Sequence, residues 1–264
     1  MNVIERHNLI LEHLKTTDCL TVEEIAKLTG ASLPTVRRDL KILTEEYGLA
    51  RFRGGVGFPA KGITEHLVNK KVDRAVFDED PGYIIVNRLM VNREQKIQIA
   101  KKAAEYVKDG DTIYVDNSSS VYYMIEFIKG KEIMVVTNGV GIISKLLEYQ
   151  IPTYVLNGQV NAKAHCILGM DTAEQLKSIN FDKAFIGTRG IDKESGFTTT
   201  DNFDSMLKTI AISKAKESYV LADKSKFFQS KLYTYAGLSE ATIITDDTNG
   251  FEAADARIAL CSES

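Results

Sequence analysis

The sequence predicts a small helical unit closed by a β-hairpin, followed by a larger α/β unit with a mostly parallel sheet. Two patterns carry this prediction. Near the N-terminus apolar residues recur with helical spacing, and a short alternating run then stops at Gly54-Gly55. In the C-terminal two thirds, short apolar runs typical of buried strands alternate with amphipathic helices, as in βαβ units. We therefore predict a first unit over 1–57, a linker over 58–92 and a second unit over 93–264.

Length and composition are those of a globular protein with a sizeable core, since the 264 residues are 44% hydrophobic and 26% charged. The net charge of −3 argues against a protein that coats nucleic acid through bulk positive charge, but it leaves room for a local basic patch. The three scattered cysteines fit reduced thiols, and the histidines show no metal-ligand spacing. With no secretory leader and no apolar run of membrane-spanning length, we expect a cytoplasmic protein without membrane contact, metal or cofactor.

The first unit contains three predicted helices. An apolar face formed by Ile10, Leu14 and their neighbours defines the first. Thr21 with Glu24 three residues later is a capping box for the second helix, and Gly30 supplies the turn after it. Two helices joined by such a turn have the layout of a helix-turn-helix.

The third helix opens at Ser32, whose hydroxyl can cap it. Its apolar residues Val36, Leu40 and Leu43 recur at i, i+4 and i+7 and define the buried face. Four polar side chains are then left pointing outward, where they can reach phosphates or guanine edges in a major groove: Thr35, Arg37, Arg38 and Lys41. We interpret this helix as a DNA-recognition helix; the alternative is an amphipathic surface helix with a solvated arginine pair.

The alternating run at 49–53 is predicted to form a β-hairpin wing, with Arg51 and Arg53 on one side. Asp39 is predicted to be structural, because a carboxylate beside the DNA backbone is repelled unless it orients a neighbouring arginine. The predicted DNA-binding residues are Ser32, Thr35, Arg37, Arg38, Lys41, Arg51 and Arg53.

After the linker, Asn92 with Gln95 is predicted to form a capping box for a helix whose buried face includes Ile97 and Ala100. Strands are then expected at 112–115, 133–137 and 153–156, with helices at 121–128 and 140–149. Ligands of parallel sheets bind at the carboxyl ends of the strands. Two loops there have the composition of a binding site: the hydroxyl-rich 116–120, whose helix start suits an anion, and 137–139. The alternative role of these residues is capping, because Ser and Asn at helix starts are mostly caps.

The N-terminal residues together resemble the DeoR family of bacterial transcription regulators. The matching residues are Arg6, Ile10, Leu14, Glu24-Ile25-Ala26, Ser32, Thr35-Val36-Arg37-Arg38-Asp39-Leu40, Leu43, Gly48, Leu49, Arg51 and Gly54-Gly55. The family usually has His where this chain has Arg53, and Gly-Thr-Thr where it has Ser118-Ser119-Ser120. Losing that glycine restricts the close backbone approach that a glycine permits.

The resemblance continues through the second unit and implies a sheet similar to those of ribose-5-phosphate isomerases and CoA-transferases. It implies a repressor that binds double-stranded operator DNA and whose second unit senses a phosphorylated sugar or related metabolite. By the same resemblance, Ser118, Ser119 and Ser120 hold phosphate with Lys226 as the charge partner. The residues implied to arrange sugar hydroxyls are Asp116, Asn138, Asp201 and Asp223.

Two other functions stay open at this stage. One is an isomerase-like enzyme on sugar phosphates with an appended binding module. Such an enzyme needs a carboxylate base, but Arg189 stands where the isomerases have an acid, and 202–208 lacks their glutamate. The other is a protein-interacting winged helix. We expect a homodimer, because one recognition helix covers only a few base pairs. The resemblance further implies a higher assembly, such as a homotetramer, through the second units.

Overall fold

The computed structural model describes residues 2–17, 19–47, 49–52, 55–57, 88–89, 91–162 and 164–261. The chain divides into two compact units, Met1–Val91 and Asn92–Ser264. Most of the predicted linker 58–92 lies outside the described residues, so its limits stay a prediction. Over the residues that the structure describes, no helix has both the length and the apolar character needed to cross a bilayer.

The first unit is a three-helix bundle with a small sheet. Its elements, in chain order, are α1 (Val3–Thr16), β1 (Cys19–Thr21), α2 (Val22–Thr29), α3 (Leu33–Tyr47), β2 (Ala50–Phe52) and β3 (Gly55–Gly57).

Local capping sets where the first helices begin and end. The predicted capping box is confirmed: the Thr21 hydroxyl accepts from the Glu24 amide, and the Glu24 carboxylate accepts from the Thr21 amide. Gly30 ends α2 with φ of 67°, a left-handed conformation that costs glycine little. The tight turn that follows lets α3 pack across α2.

The predicted hairpin wing is also confirmed, and it gains a third strand. Strands β2 and β3 pair antiparallel, with Ala50 opposite Gly57. Strand β1 pairs with the other edge of β3, where Leu20 lies opposite Val56. Leu20 and Val56 are both buried. The wing is therefore anchored to the hydrophobic core of the helices.

The second unit alternates helices and strands as predicted. Its elements are α4 (Arg93–Ala104), β4 (Thr112–Val115), α5 (Ser119–Phe127), β5 (Met134–Thr137), α6 (Val140–Glu148), β6 (Thr153–Val155), β7 (Gln159–Asn161), β8 (Cys166–Leu168), α7 (Met170–Lys177), β9 (Phe181–Gly187), β10 (Gly190–Asp192), β11 (Gly196–Thr199), α8 (Asn202–Lys214), β12 (Ala215–Leu221), a 3-10 turn (Lys224–Lys226), β13 (Tyr233–Ala236), a second 3-10 turn (Leu238–Glu240), β14 (Thr242–Thr245) and β15 (Arg257–Leu260).

Seven strands form one parallel sheet in the order β15-β14-β12-β9-β4-β5-β6. A small antiparallel sheet, β10-β11-β13, and a hairpin of β7 and β8 complete the unit. The central strand β9 is buried along nearly its whole length, because helices cover both faces of such a sheet.

The start of α4 differs from the prediction. Asn92 takes a left-handed conformation, φ 53° and ψ 43°, and makes no side-chain capping bond, so the expected capping box with Gln95 is wrong. Its side-chain amide donates instead to Asp223 Oδ1 at 2.9 Å. The buried face of α4 is also shifted, since Ile99 is fully buried and Ile97 is half-buried. A hydrogen bond to a residue 131 positions away has replaced the local cap.

Candidate functional site

Helix α3 separates its side chains as the spacing predicts. Val36, Leu40 and Leu43 are all 0% exposed and join the core of the first unit. Arg37, Arg38 and Lys41 are exposed on the opposite side, and none of them forms an ion pair with another residue in the part of the chain that is described. Within the part of the chain that the structure describes, these three cations have no neutralising partner.

Asp39 lies on the buried side of α3, where its carboxylate is hydrogen-bonded to side chains of α1. Its carboxylate accepts from Arg6 Nε at 2.7 Å and Arg6 Nη2 at 3.0 Å, and lies 3.3 Å from His7 Nε2. Burial raises the pKa of Asp39, but the hydrogen bonds and charges of Arg6 and His7 lower it more, so the net pKa is below its ordinary value. The prediction that Asp39 is structural is confirmed. The arginine that it holds is on another helix, which the sequence pattern did not identify.

The start of α3 and the wing hold the remaining predicted DNA contacts. The Ser32 and Thr35 hydroxyls hydrogen-bond to each other at 2.9 Å, and the Ser32 carbonyl accepts from the Val36 amide. Ser32 is exposed and Thr35 is half-buried. Arg51 lies on β2, but its side chain and the whole of Arg53 fall outside the described residues.

In the second unit, the strand order reverses between β4 and β9. Strands β5 and β6 follow β4 toward one edge, and β12, β14 and β15 follow β9 toward the other. Crevices at such reversals, outside the carboxyl ends of the strands, are where open α/β sheets bind ligands. The loop 116–120 follows β4 at this point, and the loop that begins at Thr188 follows β9.

The loop 116–120, which we call the serine loop, is pinned across the reversal by Asp116. One carboxylate oxygen accepts from the Gly187 amide at 2.9 Å, and the other accepts from the Ser118 amide at 3.0 Å. Ser118 then caps α5, since its hydroxyl accepts from the Val121 amide at 3.2 Å. Ser119 and Ser120 occupy the first turn, where backbone N–H groups have no acceptor within the helix. Helix α5 therefore begins at the crevice, with the Ser118 hydroxyl serving as its cap and with Ser119 and Ser120 buried in its first turn.

Lys208 is the main residue of this site that sequence reasoning missed. Its ammonium lies 2.5 Å from Asp116 Oδ2, 2.9 Å from the Gly187 carbonyl and 3.4 Å from Asp204 Oδ1. Burial lowers the pKa of Lys208, but the charges of Asp116 and Asp204 outweigh it, so its pKa is above the ordinary value. The i, i+4 spacing of Asp204 and Lys208 on α8 was readable, whereas Asp116 lies 92 residues away.

The other predicted ligand residues have protein partners. The Asn138 side-chain amide accepts from the Tyr114 hydroxyl at 3.0 Å and donates to the Ile167 carbonyl at 3.1 Å. Asp201 caps α8 by accepting from the Asp204 amide at 2.9 Å. Through its bond to the Ile167 carbonyl on β8, Asn138 links the β7–β8 hairpin to the end of β5.

Asp223 and Lys226 follow β12, two strands from β4. Asp223 is buried and accepts from the Ser225 amide at 3.0 Å. Burial raises the pKa of Asp223, but the Lys226 charge and the Ser225 hydrogen bonds bring it below the ordinary value. The fold thus groups the serine loop with Lys208 at the reversal. Asp223 and Lys226 lie at the same edge of the sheet, after β12, the strand next to β9.

Gly187 has no room for a side chain at this crevice, because a Cβ there would lie 2.2 Å from Ser118 Cβ. We expect Gly187→Ala to destabilise the second unit by about 1–3 kcal/mol, since the serine loop must shift. The matched control is Gly237→Ala, where the nearest atom is the flexible Glu240 carboxylate at 3.3 Å. Urea unfolding of both variants measures the difference. Equal transition midpoints would contradict this packing.

Comparison with known proteins assigns both units. Residues 6–61 match the model of the DeoR-like helix-turn-helix domain, and residues 91–247 match the model of the DeoR C terminal sensor domain. The chain belongs to the DeoR family. This DeoR-family protein is a DNA-binding transcriptional regulator with a ligand-controlled sensor domain.

The relatives span almost the whole chain. The HTH-type transcriptional regulator FruR of Bacillus subtilis, itself uncharacterized, is 38% identical over 92% of this DeoR-family chain and 90% of its own length. The HTH-type transcriptional repressor GlcR of Bacillus subtilis is 32% identical over 92% and 88%. The glycerol-3-phosphate regulon repressor of Escherichia coli is 22% identical over 94% and 92%.

Among solved structures, ribose 5-phosphate isomerase A of Methanocaldococcus jannaschii is similar to part of the DeoR-family chain. It is 20% identical, with a TM-score of 0.39 over 52% of this chain and 55% of the isomerase. The translation initiation factor eIF-2B of Pyrococcus horikoshii is 21% identical, with a TM-score of 0.41 over 52% and 49%.

Proposed function

We propose that the exposed cations of α3 read an operator in the major groove, and that a phosphorylated sugar bound at the β4/β9 crevice controls the affinity for that operator. The observation that carries the first part is the division of α3. Its apolar side chains and Asp39 are buried in the first unit, so Arg37, Arg38 and Lys41 remain for an external partner. Arginine and lysine side chains are suited to phosphates and guanine edges.

We expect Arg37→Ala/Arg38→Ala to lower operator affinity at least about 30-fold, because each specific base contact contributes about 1–3 kcal/mol. The DNA is a duplex that the parent chain selects from a random library, and binding is measured over a salt series. The slope of log K against log salt should become shallower by about 0.9 for each phosphate that the variant no longer neutralises.

The matched control is Lys101→Ala/Lys129→Ala, which removes the same charge from exposed residues of the second unit. If both double variants bind equally well, α3 is not the reading helix. If the parent's affinity for the duplex does not depend on salt, the unit does not neutralise DNA phosphates, and the protein-interaction alternative is favoured.

The second part rests on the crevice at the strand reversal. Helix α5 begins beside the crevice with Ser119 and Ser120 in its first turn, a helix N-terminus favours an anion, and Lys226 lies on the same edge with 31% of its side chain exposed. These are the groups that a phosphate monoester needs. The relatives include a glycerol-3-phosphate regulon repressor, which agrees with a ligand of this class.

We expect one sugar phosphate to raise the thermal unfolding temperature where its free sugar does not, since a ligand at ~100 times its Kd adds ~2.7 kcal/mol of stability. The screen compares sugar phosphates, free sugars and inorganic phosphate. Ser119→Ala/Lys226→Ala should abolish the shift, and Ser178→Ala/Lys177→Ala at the end of α7 should keep it. A panel that gives no shift would exclude this ligand class.

The crevice is proposed to bind its ligand without turnover. An isomerase needs a carboxylate with an open lone pair to take a carbon-bound proton. At the crevice, Asp116 is bonded on both oxygens, by two backbone amides and Lys208. Incubation with pentose and hexose phosphates should therefore leave them unchanged. Turnover would favour the isomerase-like alternative.

We further propose that two or four chains bind one operator. A single recognition helix covers few base pairs, and a two-fold arrangement places half-sites ~34 Å apart or at a multiple of that distance. Light scattering of the full chain and the symmetry of the selected duplex both check this. A monomer on an asymmetric site would contradict it.

A further inference from the structure

Asn92 has an unusual conformation at the first residue of the second unit. Its φ of 53° is left-handed, which is uncommon outside glycine. In this conformation its side chain does not cap α4, although its carbonyl accepts the first helical hydrogen bond from Lys96 at 3.0 Å. The side chain is instead turned to Asp223, 131 residues later.

Asp223 joins this residue to the ligand-facing edge of the sheet. The residue is 2% exposed, and its Oδ1 accepts from Asn92 Nδ2 at 2.9 Å and from the Ser225 amide at 3.0 Å. Its Oδ2 faces Lys226 Nζ at 3.9 Å. The Lys226 ammonium also lies 3.2 Å from the Ser225 hydroxyl. One buried carboxylate therefore contacts the start of α4 through one oxygen and Lys226 through the other.

Building on the proposed function, we propose that Asn92, Asp223 and Lys226 form a relay that transmits effector binding to the start of α4. A phosphate that engages Lys226 draws the ammonium away from Asp223. Asp223 then loses one of its two neighbouring cations, Lys96 being the other, and depends more on its remaining donors, which are the Ser225 amide and hydroxyl and Asn92. The length and strength of the hydrogen bond from Asn92 to Asp223 change when Lys226 moves. Asn92 therefore acts as a positioning residue.

A change in the Asn92–Asp223 hydrogen bond acts at the point where the second unit begins. Residue 92 is where the chain enters the second unit from the first. A ligand can shift an equilibrium only through interactions that differ between two states. In the relay, the Asn92–Asp223 hydrogen bond is this interaction, because its acceptor is the carboxylate that also faces Lys226.

Hydrogen exchange of the full chain tests the relay without knowledge of the natural effector. The probe is inorganic phosphate, compared with chloride at equal ionic strength. The variant is Asn92→Gly, which keeps the left-handed backbone and removes the side-chain amide. The matched control is Asn249→Gly, since Asn249 has the same φ of 53° and lies outside the relay, with its backbone amide donating to Asp247.

In the parent and in Asn249→Gly, phosphate should change exchange both at 224–226 and in the first turns of α4. In Asn92→Gly the change at 224–226 should remain and the change in α4 should be absent. If α4 responds equally in Asn92→Gly, the relay is wrong and Asn92 only attaches the helix, while the phosphate site stands. If phosphate leaves 224–226 unchanged in the parent, both the relay and the phosphate role of Lys226 are wrong.

Discussion

Lys208→Met is expected to destabilise the second unit by about 3–5 kcal/mol, because it leaves the buried Asp116 carboxylate without its cation. The side chains of Lys208 and Asp116 are 6% and 5% exposed and 2.5 Å apart, so water cannot replace the missing partner. The measurement is the free energy of urea unfolding, followed by circular dichroism.

A surface pair provides the control for Lys208. Lys216 and Asp182 are 2.7 Å apart, but the Lys216 side chain is 78% exposed. Water and salt screen such a pair, so Lys216→Met should change stability very little. Adding Asp116→Asn to Lys208→Met should recover part of the stability, since the isolated buried charge is then removed. If Lys208→Met costs no more than Lys216→Met, the buried pair does not hold the serine loop in place.

Asp39→Asn is expected to destabilise the first unit by about 2–3 kcal/mol at neutral pH, since it removes charge-assisted hydrogen bonds to a buried carboxylate. The effect should depend on pH. The folded-state pKa of Asp39 is lowered, so its stabilisation is present above the unfolded pKa of about 3.9 and disappears as pH falls through the folded value. The parent and Asp39→Asn should therefore converge in acid.

Thermal unfolding across a pH series measures this convergence. The control is Glu23→Gln on the exposed side of α2, which should change stability by less than about 0.5 kcal/mol. A difference between parent and Asp39→Asn that stays constant with pH would contradict the assignment. Because Asp39 joins α3 to Arg6 of α1, the same substitution should also weaken operator binding without touching a DNA-facing residue.

The sequence by itself determined the elements and the faces of the first unit. The capping box at Thr21, the turn at Gly30 and the burial of Val36, Leu40 and Leu43 depend on residues within one or two helical turns. The order of strands and helices from β4 to β6 was equally readable, since alternation of short apolar runs and amphipathic helices has few three-dimensional solutions. The β7–β8 hairpin, the small antiparallel sheet and β15 were not predicted.

The tertiary structure alone decided which side chains from distant parts of the chain meet. Asp39 could have oriented an arginine of its own helix, but it holds Arg6, 33 residues earlier. Asn92 and Gln95 have the spacing of a cap, yet the Asn92 side chain is bonded to Asp223, and the cation beside Asp116 is Lys208. Local spacing constrains only partners that share a turn or a strand. A buried carboxylate takes whichever donor the fold brings within hydrogen-bond distance, and that depends on how distant elements pack.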